Sequence, residues 1–307
     1  MFDYRYHALS LAAVLLALAV GVVIGVAIGD SNLVSSAKNG IVHDLKEEVN
    51  GSQHQSGQLR AQLTSEETFA NDLYPIAVHG LLSGRNIGLV FLGSSSDRVN
   101  DFVRDAVTQA GGDLATVVAV REPLDLSGIA REAAGTRYAA LGAEPAAGAA
   151  SSGEGEGKLI ERFGTLVGKQ LVSGGQNVSR ELLSRARGRL LSAFDGQLGR
   201  LEGLVLVRAD PTGMAAEQAK ASTAFETGLL DGLATVGVAT VGVELSSTEP
   251  SQIPWYESKD ISSVDDLETT AGQAALLYAL TGSHGAYGTK SSADSLLPNV
   301  VGTPTQP

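Results

Sequence analysis

The 307-residue chain carries 22 basic against 34 acidic residues, a net charge of -12 that repels phosphate backbones and anionic lipid surfaces, so nucleic acid is not expected as a partner. It contains no cysteine, which removes disulfides, thiolate metal sites and cysteine nucleophiles together. Its 43% hydrophobic fraction is enough for a sizeable core.

The first element is the run from Leu9 to Ile28, LSLAAVLLALAVGVVIGVAI, which carries no charge. A helix of about twenty residues at about 1.5 Å rise each matches the roughly 30 Å hydrocarbon core of a bilayer. A buried soluble helix would show a polar stripe, whereas only the small residues Ser10, Gly21 and Gly25 interrupt the aliphatics here. A cleaved signal peptide is the main competitor, with Ala17-Leu18-Ala19 as the cleavage-like site, but the apolar run continues well past the usual h-region. The expectation is an uncleaved single-pass anchor over 1–29, in contact with membrane lipid through Leu9 to Ile28. Arg5 before the span and Asp30 after it place the bulk of the chain outside the cytoplasm.

From 30 to 75 the chain is polar with apolar residues at helical spacing. A heptad frame starting at Val42 puts Leu45, Val49, Leu59, Leu63, Ala70 and Leu73 on one seam, weakened by Ser52, Ser56, Glu66, Gly51 and Gly57. This predicts a coiled-coil stalk that would make a homo-oligomer; the alternative is one amphipathic helix lying back on the domain. Pro75 and Ser83-Gly84 close the segment.

After Asn86 the pattern changes to that of an α/β domain, expected over 84–288. Ile87 to Leu92 is a continuous apolar strand, followed by Gly93-Ser94-Ser95-Ser96-Asp97, a helix from about Arg98 to Ala110, and a strand from Leu114 to Val120. Such strands are buried on both faces, which implies a parallel sheet covered by helices rather than the alternating 9–11-residue strands of a membrane barrel. The Ala-, Gly- and acid-rich stretch within 123–157 reads as a mobile loop. Helices are predicted at Lys158 to Val172, Val178 to Phe194 and Ala215 to Leu233, and further strands at Leu204 to Val207 and Val238 to Val243, giving four parallel strands in a small doubly wound sheet. Thr270 to Leu280 reads as a buried helix, and 289–307, with Pro298, Pro304 and Pro307, as a disordered tail.

Little chemistry stands out. Gly93 to Ser96 lies where strand-end ligands bind, yet it matches neither a Walker loop nor G-x-G-x-x-G and reads as an ordinary turn. Asp265 and Asp266 are weak metal candidates, though adjacent carboxylates before Thr269-Thr270 more simply favour a helix N-terminus. His7, His43, His54, His79 and His284 are scattered; His284, in a glycine-flanked loop, is the remaining weak metal candidate. With Met1 and Met214 as the methionines, no soft-ligand set is available. No catalytic constellation can be assembled, and an enzyme is not expected.

Two stretches carry a family resemblance: His7 to Gly25 (HALSLAAVLLALAVGVVIG) and Ser263 to Gly288 (SVDDLETTAGQAALLYALTGSHGAYG). They resemble the opening and closing signatures of the actinobacterial copper transport protein family of the MctB type, and His7, Gly25, Gly272, Tyr287 and Gly288 are the positions of this sequence that fall on those motifs. The resemblance implies a membrane-associated envelope protein linked to copper export or homeostasis, with copper ion as the transported species. It implies, alternatively, an interaction protein regulating peptidoglycan cleavage and cell separation, with an envelope or cell-division partner.

Overall fold

The computed structural model describes residues 4–29, 31–141, 152–174, 177–197, 199–210 and 213–299. The chain divides into two units, residues 1–68 and 69–307.

In the first unit, α1 (Tyr4–Ile28) is apolar around its whole circumference. Its segment Arg5–Ala27 has a mean hydropathy of 2.8 and, among the described residues, is the one helix long and apolar enough to cross a membrane. Its described side chains are exposed, Leu9 to 74%. The second helix, α2 (Ser31–Val78), is continuous across the whole expected stalk, and Leu45, Val49, Leu59 and Leu63 of the heptad seam are exposed.

The second unit is built on a seven-stranded sheet. Its elements are β1 (Asn86–Leu92), α3 (Asp97–Gln109), β2 (Asp113–Val120), α4 (Leu126–Glu132), α5 (Ser152–Ser173), α6 (Asn177–Leu190), β3 (Leu191–Gly196), β4 (Gly203–Arg208), α7 (Ala216–Val236), β5 (Ala239–Val243), α8 (Ile253–Ser258), β6 (Ser262–Val264), α9 (Thr270–Leu280) and β7 (Ala286–Tyr287). The strand order is β3-β2-β1-β4-β5-β6-β7, parallel throughout except for the antiparallel pairing of β3 with β2.

The continuous apolar run of β1 is explained by its two covered faces. Leu89 and Phe91 join Val99 and Val103 of α3 and Leu276 and Leu277 of α9, while Val90 and Leu92 join Ile129 of α4, Phe163 of α5 and Phe225 of α7. Successive residues of a strand point to opposite faces, so both registers of β1 are apolar. The end of α2 belongs to the first of these cores through Tyr74 and Val78. On the other face α5 and α7 approach backbone to backbone. A Cβ added at Gly164 would overlap the Phe225 carbonyl, and one added at Gly228 would overlap that of Glu161.

The expectation of a doubly wound α/β sheet holds, but the sheet is larger than four strands. The helix expected to run to Phe194 stops at Leu190, because Leu191–Gly196 is taken up as an antiparallel edge strand by β2. The short β6 and β7 carry too few residues for an apolar run to show; Ser262 and Ser263 are buried in β6 through pairing rather than hydrophobicity. Within the stretch read as a loop, α4 is ordered by its Asp125 N-cap and buries Ile129, while 142–151 lies outside the described residues. Residues 300–307 of the expected tail also lie outside them.

Candidate functional site

The chain leaves β1 in one direction to build β2 and β3 and returns to build β4 to β7 on the other side, so the strand order reverses between β1 and β4. In open parallel sheets the crevice at the carboxyl ends of the two strands flanking such a reversal is where ligands bind. Here those ends are the Gly93–Ser96 turn after β1 and Arg208 closing β4. The two turns nearly touch: a Cβ at Gly93, whose φ is 107°, would lie 2.7 Å from the Ala209 Cβ and 3.8 Å from Glu122 Oε2. Ser96 is committed to capping α3, accepting from the Val99 N–H.

Arg208 is the centre of the crevice. It ends the run Leu204–Val205–Leu206–Val207, and its guanidinium is held on three sides: Nε donates to Glu226 Oε1 of α7 at 3.0 Å, Nη1 donates to Gln252 Oε1 at 2.6 Å, and the group stacks 4.5 Å from the centre of the Trp255 ring. The pair is deeply sequestered, with side-chain exposures of 9% and 2% for Arg208 and Glu226. Burial still pushes the Glu226 carboxyl upward, with Arg208 pulling it down. Glu226 Oε2 and both carboxylate oxygens of Glu122, which follows β2, are buried without a hydrogen-bond partner among the described residues. Burial first and the Glu226 charge second push Glu122 up to about 7, against the opposing pull of Arg208. The crevice thus holds an acid that titrates near neutrality beside an already paired arginine, an arrangement able to accept a hydrogen-bonding cation or to gain and lose a proton.

Further along the same edge two carboxylates, Glu244 and Asp265, are fully met. Glu244, after β5, accepts from Ser251 Oγ at 2.7 Å, the Gln252 N–H at 2.6 Å and Lys290 Nζ at 2.5 Å. Asp265, after β6, accepts from the backbone N–H groups of Thr289 at 2.7 Å and Lys290 at 3.0 Å. Both ties secure the head of the segment expected as a disordered tail.

The residues singled out in the sequence fall in different places. Asp265 and Asp266 are buried, and Asp266 accepts from Thr269 Oγ1 at 3.0 Å while burial pushes its carboxyl upward. His284 lies at the other end of the β6–β7 pair, exposed beside Asp260 with Nε2 3.4 Å from Oδ1, so the three metal candidates are not brought together. Among the described residues no group of three or more His, Asp or Glu side chains is arranged to hold a metal ion. The motif glycines have mechanical reasons: a Cβ at Gly288, at φ 137°, would overlap Asp265 Oδ1, and one at Gly272 would overlap the Asp266 carbonyl. Tyr287 is a core residue of β7, whereas His7 and Gly25 lie on α1, where Gly25 has open space around it. Sequence reasoning missed Arg208, Glu226 and Glu122. The available signal was a lone arginine closing an aliphatic strand and a lone glutamate on a helix face of Ala, Ser, Phe and Gly.

A mostly parallel α/β sheet with a strand-order reversal and, among the described residues, one helix long and apolar enough to cross a membrane together fit a membrane-anchored α/β protein. The chain belongs to the family described as Copper transport outer membrane protein, MctB, whose model matches residues 1–298 and so takes in both α1 and the entire sheet. It is similar to the Copper transporter MctB of Mycobacterium bovis and of two strains of Mycobacterium tuberculosis, each 26% identical over 264 residues that cover 82% of this chain and 71% of the relative.

Proposed function

We propose that the protein contributes to copper ion transport across the cell envelope as a single-pass membrane protein, anchored through α1 with its α/β body outside the cytoplasm. The observation that carries this reading is the family match over residues 1–298, which joins the apolar helix and the body in one copper transport unit. The net charge of -12 supports it, since an acidic body raises the local concentration of cations. Copper is the cargo here. The chain has no cysteine and two methionines, so the cargo is handled without a thiolate or thioether cage in one subunit. One helix cannot line a channel, so a conducting form takes several copies; the exposed Leu45, Val49, Leu59 and Leu63 supply the seam on which α2 would pair with its counterparts.

A strain lacking the gene is expected to hold more cell-associated copper and to stop growing at lower copper concentrations, with both effects reversed by the full chain. Unchanged copper content and tolerance would overturn the reading. The oligomer is tested separately: the detergent-solubilised chain should show the mass of several copies, and replacing Leu59 and Leu63 with Asp should return it to the mass of one.

A further inference from the structure

A second cavity lies away from the crevice, on the flank of the sheet where α5, α6 and the edge strand β3 meet. Its volume is about 330 Å³, at the lower end of the range for small-molecule pockets. Leu171, Leu183 and Phe194 make its walls hydrocarbon and aromatic. Polar side chains interrupt them: Arg180, which donates to the Gly174 carbonyl, Ser184, Gln197, and the two on which the argument turns, Gln170 and Arg187. Gln170 is 2% exposed and lines the cavity, yet among the described residues neither its amide nitrogen nor its amide oxygen has a hydrogen-bond partner. A buried amide left unpaired costs about 1–3 kcal/mol, so a folded chain that keeps one facing a cavity is built as if something else completes it. At the rim, the exposed Arg187 lies with its guanidinium 3.5 Å from the centre of the Phe194 ring and forms no ion pair among the described residues.

We propose that this cavity is a binding site for a small amphiphilic carboxylate, whose apolar chain or ring fills the space between α5, α6 and β3 while its anionic head is held by Arg187 and the Gln170 amide. The chemistry follows from what is present. The walls favour apolar bulk, and the charged group at the rim is a guanidinium, which selects an anion over a cation or a neutral alkane, while the Gln170 amide adds an N–H donor beside its acceptor oxygen. Arg187 is held by its stack on Phe194 at the rim, so less side-chain freedom is lost when it engages a ligand. The proposal is independent of copper handling and of the Arg208 crevice.

The test uses the full chain in nanodiscs of zwitterionic lipid, with empty nanodiscs as the blank, titrated calorimetrically with hexanoate, hexylammonium and acetate. Saturable binding is expected for hexanoate alone, because acetate lacks the chain and hexylammonium carries the wrong charge. R187Q should weaken hexanoate at least tenfold and R187K should recover part of the loss; S184F, a surface change at the mouth of the cavity, should abolish it. Q170L should weaken hexanoate while raising the unliganded melting temperature by about 2–4 °C, since it removes an unpaired amide. Hexanoate binding no tighter than acetate, equal binding of hexylammonium, or binding unchanged in R187Q and S184F would each overturn the proposal.

Discussion

Two pairs of carboxylates buried at the sheet's carboxyl edge are treated oppositely, with Asp266, whose Oδ1 is unpartnered among the described residues, the exception beside the first pair. Glu244 and Asp265, after β5 and β6, are surrounded by donors: two backbone N–H groups on Asp265, and a hydroxyl, a backbone N–H and the Lys290 ammonium on Glu244. Glu122 and Glu226, at the β1–β4 reversal, share one arginine and leave three oxygens without partners. Burial alone therefore does not distinguish a structural carboxylate from a functional one; the number of donors does. Where the donors are complete the carboxylate works as a staple, here closing the 289–299 segment onto the sheet. Where they are incomplete it is left to titrate or to bind.

The largest effect is expected at the staple. D265A removes the acceptor from two backbone N–H groups, on the exposed Thr289 and the half-buried Lys290. The loss is about 3–4 kcal/mol of unfolding free energy, the low end for two hydrogen bonds of roughly 1.5–3 kcal/mol to a charged partner, because water can replace the acceptor at Thr289. Urea unfolding of the full chain in nonionic detergent measures it, and hydrogen exchange should localise the loss to β7 and the residues following it. G288A breaks the same contact from the other side, through a Cβ that would overlap Asp265 Oδ1 and a φ of 137° that alanine rarely adopts. Its cost is about 2–3 kcal/mol. The two are coupled: once D265A has removed the obstructing oxygen, G288A should cost only its backbone strain, so the double mutant is less destabilised than the sum.

An intermediate effect is expected at Lys290, whose ammonium donates to Glu244 Oε1 and to the Thr248 carbonyl while 18% exposed. K290M preserves the aliphatic stem but strips Glu244 of its counter-charge, and about 2–3 kcal/mol should be lost, below the penalty for a fully buried pair because water still reaches one partner. A loss no larger than that of a surface lysine change would show that the Ser251 and Gln252 donors suffice alone.

The sequence made the sheet legible because β1, β2, β4 and β5 are aliphatic runs that no other element type explains, and α9 because its apolar residues recur all round an eleven-residue stretch. It hid β3, whose Ser192, Ala193 and Asp195 face solvent at an edge that only the open side of β2 turns into a strand. It hid the backbone contact of α5 with α7, since Gly164, Gly168, Gly228 and Gly232 carry no side chain to signal that they face one another. The crevice was hidden for a different reason: Glu122, Arg208 and Glu226 are far apart in the chain and form no spacing motif, so only the strand order unites them. Asp265 was visible as an oddity but not in its role, because its donors come from the backbone of Thr289 and Lys290, which composition assigned to a disordered tail.

The smallest effect, and the one of opposite sign, belongs to Glu122. Its folded-state pKa of about 7 lies above the ordinary 4.5, so folding favours the protonated acid. Below about pH 4.5 both folded and unfolded chains hold that proton and Glu122 contributes no pH-dependent penalty. Between 4.5 and 7 the unfolded chain releases it while the folded chain keeps it, so stability falls as pH rises, and above about 7 the penalty is complete. Linkage of about 1.4 kcal/mol per unit sets the upper limit, and the partial solvent access of the residue reduces the expected penalty to about 1–2 kcal/mol. E122Q keeps the shape and abolishes the charge. It should be as stable as the parent near pH 4.5 and more stable by that amount near pH 8, as read from urea midpoints across the range. Taking the difference between the two proteins cancels Asp266, whose raised pKa gives a slope of the same sign, and leaves the coupled titration of Glu122 with Glu226. Parallel stability curves for parent and E122Q would mean that Glu122 finds donors after all, and the contrast between the two pairs of carboxylates would disappear.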